Sequence, residues 1–173
     1  MTEKEELALL LWNCGALRLC EGALPLCWDN EKALEEPARG RILDALEALA
    51  RDHYAAAEAV LGDDLWAELL AARLGLPLNP AEVPAMPLAV EAAVADGEAL
   101  LRRTSPLRES GRSIAAAAIF PFGLESARQK LDRADVRLHW LTDLETAAAV
   151  ALQQGIVDFE DYDRLLSMPE IMF

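Results

Sequence analysis

Apolar positions in this chain recur in two rhythms, a helical one of about 3.6 residues and short unbroken runs, and together they divide it into helices and strands. Thr2 with Glu5 three residues on forms a capping box, and Leu7, Leu10 and Leu11 follow on one face, so a first helix is predicted to end near Gly15. Ala16 to Leu19 and Leu24 to Trp28, broken by Gly22 and Pro25, read as a small irregular pair of strands. Pro37 opens the next helix behind Glu35 and Glu36, and Ile42, Leu46 and Leu49 carry it to about His53. From Tyr54 to Gly62 periodicity alone does not separate helix from buried strand, and a strand is placed near Ala59 to Leu61. Asp63 and Asp64 are natural N-caps for a helix with Leu65, Leu69, Leu70 and Leu74, and Gly75 is its natural stop. Leu76 to Pro87 holds Pro77, Pro80, Pro84 and Pro87, which makes it a stiff connection.

Leu88 to Ala95, Ala99 to Leu101 and Ile114 to Phe120 lack polar alternation, as strands covered on both faces do. Gly123 precedes a helix with Leu124, Ala127, Leu131 and Ala134 on one side, and Val136, Leu138 and Trp140 then alternate with Arg137 and His139 in a strand. Thr142 and Glu145 form a second capping box for a helix ending before Gly155, and a last short helix carries Phe159, Tyr162, Leu165 and Leu166. This alternation predicts an α/β domain with a mostly parallel sheet flanked by helices, and no internal repeat is visible.

At 173 residues the chain fits a single domain, 1–173, and its 53% hydrophobic and 27% charged composition excludes a disordered polymer. A net charge of −14 repels phosphate backbones and anionic lipid, so neither nucleic acid nor a membrane is an expected partner. Cys14, Cys20 and Cys27 have poor zinc spacing and no nearby histidine, and so sparse and odd a set suggests a reducing compartment. The opening Glu3-Lys4-Glu5-Glu6 stands in place of the basic flank and apolar run of a secretory leader, so a cytoplasmic protein is expected.

Residues 113–123, Ser-Ile-Ala-Ala-Ala-Ala-Ile-Phe-Pro-Phe-Gly, a helix, Val136-Arg-Leu-His-Trp-Leu-Thr-Asp-Leu and a helix to Gly155 together resemble the last core strand and C-terminal tail of the orotate phosphoribosyltransferases. Leu9 to Leu19, the turn Asp29-Asn30 before Pro37, and Ala71-Ala-Arg-Leu-Gly-Leu-Pro-Leu resemble the family's earlier elements in order and spacing. The resemblance implies a shortened type I phosphoribosyltransferase-like domain, and family members pair, so a homodimer is the matching expectation.

Family members bind phosphoribosyl pyrophosphate with a strand ending in two adjacent acids, then a loop of small hydroxyl residues and glycines at a helix N-terminus, where the dipole favours an anion. Matched to Glu98–Leu101, that strand runs here into Arg102-Arg103-Thr104-Ser105-Pro106, and the helix after it shrinks to about Leu107 to Ser110. The family's lysine-rich catalytic loop has no counterpart either, because the only lysines are Lys4, Lys32 and Lys130. Its pyrophosphate loop reads Leu61-Gly62-Asp63-Asp64, whose acids repel pyrophosphate.

These departures point to a relative without transferase activity and with a binding or regulatory role, the alternative being an active phosphoribosyltransferase with a rebuilt substrate site. No catalytic residue, metal ligand or cofactor is assigned. The one candidate site is an island of Arg102, Arg103, Thr104, Ser105 and Arg108, whose guanidinium forks suit a small anionic ligand, against the competing view of a solvated surface charge run. His53 and His139 have no nucleophile or acid partner at motif spacing and are read as structural. Asp158, Glu160, Asp161 and Asp163 lack calcium-loop spacing and suit a helix first turn.

Overall fold

The computed structural model describes residues 1–171. Helix α1 (Glu3–Cys14) starts on the reciprocal Thr2–Glu5 box and ends at Gly15, whose φ of 87° only glycine adopts without strain. An antiparallel hairpin follows, β1 (Leu17–Leu19) and β2 (Leu26–Trp28), then a short α2 (Asn30–Ala33) and α3 (Ala38–His53). The rest alternates: β3 (Ala59–Leu61), α4 (Leu65–Leu74), β4 (Pro87–Val94), α5 (Glu98–Glu109), β5 (Ile114–Pro121), α6 (Glu125–Arg133), β6 (Val136–Trp140), α7 (Leu144–Gln153) and α8 (Phe159–Leu166).

Strands β3, β4, β5 and β6 form one parallel sheet in that order. Apart from Glu91 of β4, its middle strands are apolar on both sides because both faces are covered. α1, α3, α4 and α7 bury one face with Trp66, Leu70, Ile42 and Leu46, and α5 and α6 bury the other with Leu100, Leu107 and Leu131. Beyond β3 the proline-rich connection runs beside the sheet and forms a parallel bridge of Leu78 to Val60. The chain therefore leaves β3, passes to one side of it through α4 and Leu78, and returns on the other side as β4. Open α/β sheets bind ligands at such a reversal, outside the carboxyl ends of the strands.

Three expectations are corrected. Glu98 to Leu101 is helix, not strand, and the helix is not confined to Leu107–Ser110: α5 has 12 residues because Leu100, Thr104 and Leu107 fall on one buried stripe against the sheet. The cap of α7 is Asp143, which accepts from the Thr146 N–H at 2.9 Å, since the Thr142 hydroxyl is already donated to the Lys4 carbonyl at 2.9 Å. Cys20 and Cys27, part of the sparse set that suggested a reducing compartment, are disulfide-bonded where the hairpin register brings their Cα atoms to 5.9 Å, and Cys14 stays free. The acids after Asp158 do open a helix, α8, whose Asp161 N–H donates to Asp158 at 2.8 Å.

Candidate functional site

The crevice at the β3–β4 reversal is built from two strand-to-helix turns. On one side β3 turns through Gly62, Asp63 and Asp64 into α4. A Cβ at Gly62 would lie 2.2 Å from the Ala67 Cβ and 3.2 Å from the Val90 carbonyl oxygen, so only glycine lets α4 and β4 approach this closely. Asn79 clamps the turn: its side-chain oxygen accepts from the Gly62 N–H at 3.0 Å and its amide donates to the Gly62 carbonyl at 2.7 Å. Asp64 caps α4, accepting from the Ala67 N–H at 3.2 Å. On the other side, β4 carries Glu91 and runs through Ala95-Asp96-Gly97 into α5, with Gly97 in the left-handed region at φ 79°.

Charges of both signs meet across this gap. Arg103 of α5 pairs with Asp63, its side chain only 16% exposed, and its Nε is buried with no hydrogen-bond partner. Burial pushes the Glu91 carboxyl up to about 7, with the Asp64 charge adding to the rise and Arg102 opposing it. Burial also raises Asp64, against the N–H groups of Ala67, Trp66 and Ala92. At the N-terminus of α5, where the dipole would welcome an anion, Asp96 already accepts from the Glu98 N–H at 3.0 Å, and Glu98 pairs with Lys130 at 2.9 Å.

The arginine island is thereby relocated. It does not stand at a strand end, because a 12-residue helix opens at Gly97, whose φ is 79°. The acid-bearing strand is β4 with Glu91, and Arg102 and Arg103 stand more than a turn inside α5. Arg102 is exposed and close enough to lower the Glu91 pKa, while Arg103 crosses to Asp63. Thr104 is fully buried and donates its hydroxyl to the Leu100 carbonyl at 2.7 Å. Arg108 folds back on α5, donating to the Leu101 carbonyl at 2.6 Å and the Thr104 hydroxyl at 3.3 Å, beside the step where Pro106 cannot donate. Ser105 is half-buried on the same helix. The structure thus brings Arg102 and Arg103 to the crevice and employs Thr104 and Arg108 within the helix.

Glu91 was not singled out in the sequence, although a lone carboxylate inside the apolar run Leu88 to Ala95 was its signal. Elsewhere, His139 of β6 stacks on His53 at 4.0 Å between ring centroids, and its Nδ1 lies 2.5 Å from the Tyr54 hydroxyl, which donates to the Ala116 carbonyl. Burial, then His53 and Arg137, lower its pKa. Among the described residues no three His, Cys, Asp or Glu side chains gather to hold a metal.

The raised Glu91 pKa makes stability depend on pH. The folded chain prefers the neutral carboxyl, so this contribution is complete below the unfolded value of about 4.3 and is lost as pH climbs to about 7. Glu91→Gln should remove that loss and be more stable than the parent above neutrality by about 1 kcal/mol, a figure reduced for solvent screening of a half-buried group. Denaturant unfolding of both proteins across this range measures it, and parallel pH profiles would refute it.

This geometry, a parallel sheet with a reversal crevice between β3 and β4 under a hairpin and helical cover, has solved counterparts. Orotate phosphoribosyltransferase from Aeropyrum pernix superposes with a TM-score of 0.71 at 25% identity, over 86% of this chain and 99% of that one. The Francisella tularensis enzyme gives 0.73 at 10% identity, over 98% and 97%. The fold is that of the type I phosphoribosyltransferases. In sequence, orotate phosphoribosyltransferase of Bacillus caldolyticus is 28% identical over 159 residues, spanning 79% of this chain and 77% of that protein. The chain is a homologue of the orotate phosphoribosyltransferases. No protein-family model matches it.

Proposed function

We propose that this protein is an orotate phosphoribosyltransferase-like molecule that does not carry out phosphoribosyl transfer and serves in binding or regulation, as a homodimer. The observation that carries the reading is the charge content of the reversal crevice. Asp63 and Asp64 on the turn after β3 and Asp96 on the turn after β4 flank it, and one of its two arginines is already spent on Asp63. A pyrophosphate group would enter against this field and displace an existing ion pair. The connection from Leu76 to Pro87, where the resemblance places a lysine-rich loop, contains no lysine to neutralise a leaving group. A single lost charge-stabilising donor costs about 3 kcal/mol of barrier, and several are missing together. Acidity overall supports neither a nucleic-acid nor a membrane partner, and among the described residues no helix is long and apolar enough to cross a bilayer.

Purified protein given orotate, phosphoribosyl pyrophosphate and Mg²⁺ is expected to form orotidylate no faster than a protein-free control. Turnover above that control would overturn the proposal in favour of a rebuilt active site. Calorimetry with pyrophosphate and phosphoribosyl pyrophosphate then divides the roles that remain. Heat abolished by Arg102→Ala supports a small-anion site on the arginine island, and no heat with either leaves protein association.

A further inference from the structure

We propose that a cleft at the amino ends of β4, β5 and β6, at the other end of the sheet from the reversal crevice, binds a small apolar carboxylic acid through Arg137, His139 and His53. The cleft, of about 260 Å³, lies where Pro87 opens β4, Ser113 precedes β5 and Arg137 enters β6, beside the end of α3 at His53 and Tyr54. In a chain of net charge −14 its border is unusual: an arginine and both histidines line it and, among the described residues, no carboxylate does. Arg137 forms no ion pair among the described residues. The Ser113 hydroxyl accepts from its Nε at 3.1 Å, which orients the guanidinium and leaves both terminal nitrogens for a ligand. A carboxylate matches that fork with its two oxygens.

The imidazoles supply the second contact. His139 stacks on His53 at 4.0 Å between ring centroids, and its Nδ1 lies 2.5 Å from the Tyr54 hydroxyl. That hydroxyl donates to the Ala116 carbonyl at 2.9 Å, so Nδ1–H donates to Tyr54 and Nε2 is the nitrogen that takes up a second proton. Two imidazolium rings at this separation repel, and an anion beside them offsets the repulsion. Tyr54 and Arg137 face the pair from this cleft, and Glu3, Lys4 and Asp52 from the neighbouring one; neither acid forms an ion pair with a ring. The remaining wall is apolar, with Ala57, Ala85 and Pro87, and Met86 beside them is 53% exposed. A flexible thioether next to open apolar surface can fold over a hydrocarbon body. Inorganic phosphate would use the charges alone, whereas a carboxylate on a small hydrocarbon body uses both halves of the cleft.

Benzoate and benzamide, alike in shape and different in charge, are the probes. The chain has two histidines, both in this cleft, so their Cε1–H proton resonances in tag-free protein report on it directly. Benzoate should shift both resonances and raise the titration midpoint of His139, with a Kd of about 1 mM, and benzamide should do neither. Binding takes up a proton, so affinity should rise about tenfold from about pH 8 to about pH 5.5. His139→Gln should flatten that dependence, and Arg137→Gln should weaken binding about tenfold throughout. Orotidylate formation or its absence does not bear on these resonances, so this proposal and the loss of transfer activity fail separately. Unshifted resonances in the parent chain, an equal response to benzamide, a pH dependence that survives His139→Gln, or binding indifferent to Arg137→Gln would each overturn the proposal.

Discussion

Gly62→Ala is expected to lower folding stability by about 3 kcal/mol, a large effect for one methyl group. Gly62 does not sit at a positive φ, so the cost is contact and not backbone conformation. The new Cβ would stand 2.2 Å from the Ala67 Cβ and 3.2 Å from the Val90 carbonyl oxygen. Neither neighbour can withdraw easily. Ala67 is fully buried and its N–H is held by Asp64, Val90 is fixed in the centre of the sheet, and Gly62 itself is bonded at both N–H and C=O to Asn79. Relief requires lifting the first turn of α4 from β4, which opens the crevice at its base. Urea denaturation should show a lower midpoint with an unchanged slope. Adding Ala67→Gly removes the worst contact and should recover part of the loss, less about 1 kcal/mol for glycine in a helix. A change below about 0.5 kcal/mol for Gly62→Ala would mean the close approach is not real.

Most elements were legible because their signals are local. The Thr2–Glu5 box, Asp64 before α4 and Gly75 after it, and the unbroken runs of β4 and β5 each state a structure within a few residues. What escaped depended on neighbours distant in sequence. Ala99-Leu100-Leu101 is too short a run to choose between strand and helix. Helix wins because Leu100, Thr104 and Leu107 can all reach the sheet from one stripe, a fact of packing that overrides the strand-like run. Taking Glu98–Leu101 as the strand shifts the site by about two turns of helix and sets arginines where β4 and Glu91 belong. The Cys20–Cys27 bond required the hairpin register, and the Arg103–Asp63 pair joins residues 40 positions apart, so no spacing rule would have found either. The choice of Asp143 over Thr142 as a cap turned on the Thr142 hydroxyl finding α1, again a tertiary partner.

The crevice and the cover above it are joined through one side chain, and the second large prediction concerns that joint. Trp66, on the first turn of α4, is fully buried, and its indole N–H donates to the Asn30 side-chain oxygen at 2.7 Å. The same oxygen accepts from Trp28 at the end of the disulfide-closed hairpin at 3.4 Å, so Asn30 ties β2 to the helix that follows Asp63 and Asp64. Trp66→Ala removes the largest fully buried side chain in this core and should cost about 4 kcal/mol. Trp66→Phe keeps most of the volume and loses chiefly the hydrogen bond, and because half-buried Asn30 can take water instead, about 1 kcal/mol is expected. Proteolysis under native conditions distinguishes a local from a global effect. If Asn30 is the tether, even the mild Phe variant should be cut faster in the Leu17–Trp28 hairpin while the sheet stays protected. Equal protection of the hairpin in Trp66→Phe and the parent chain would show that the cover is held by apolar contact alone, and the joint through Asn30 would then have no mechanical role.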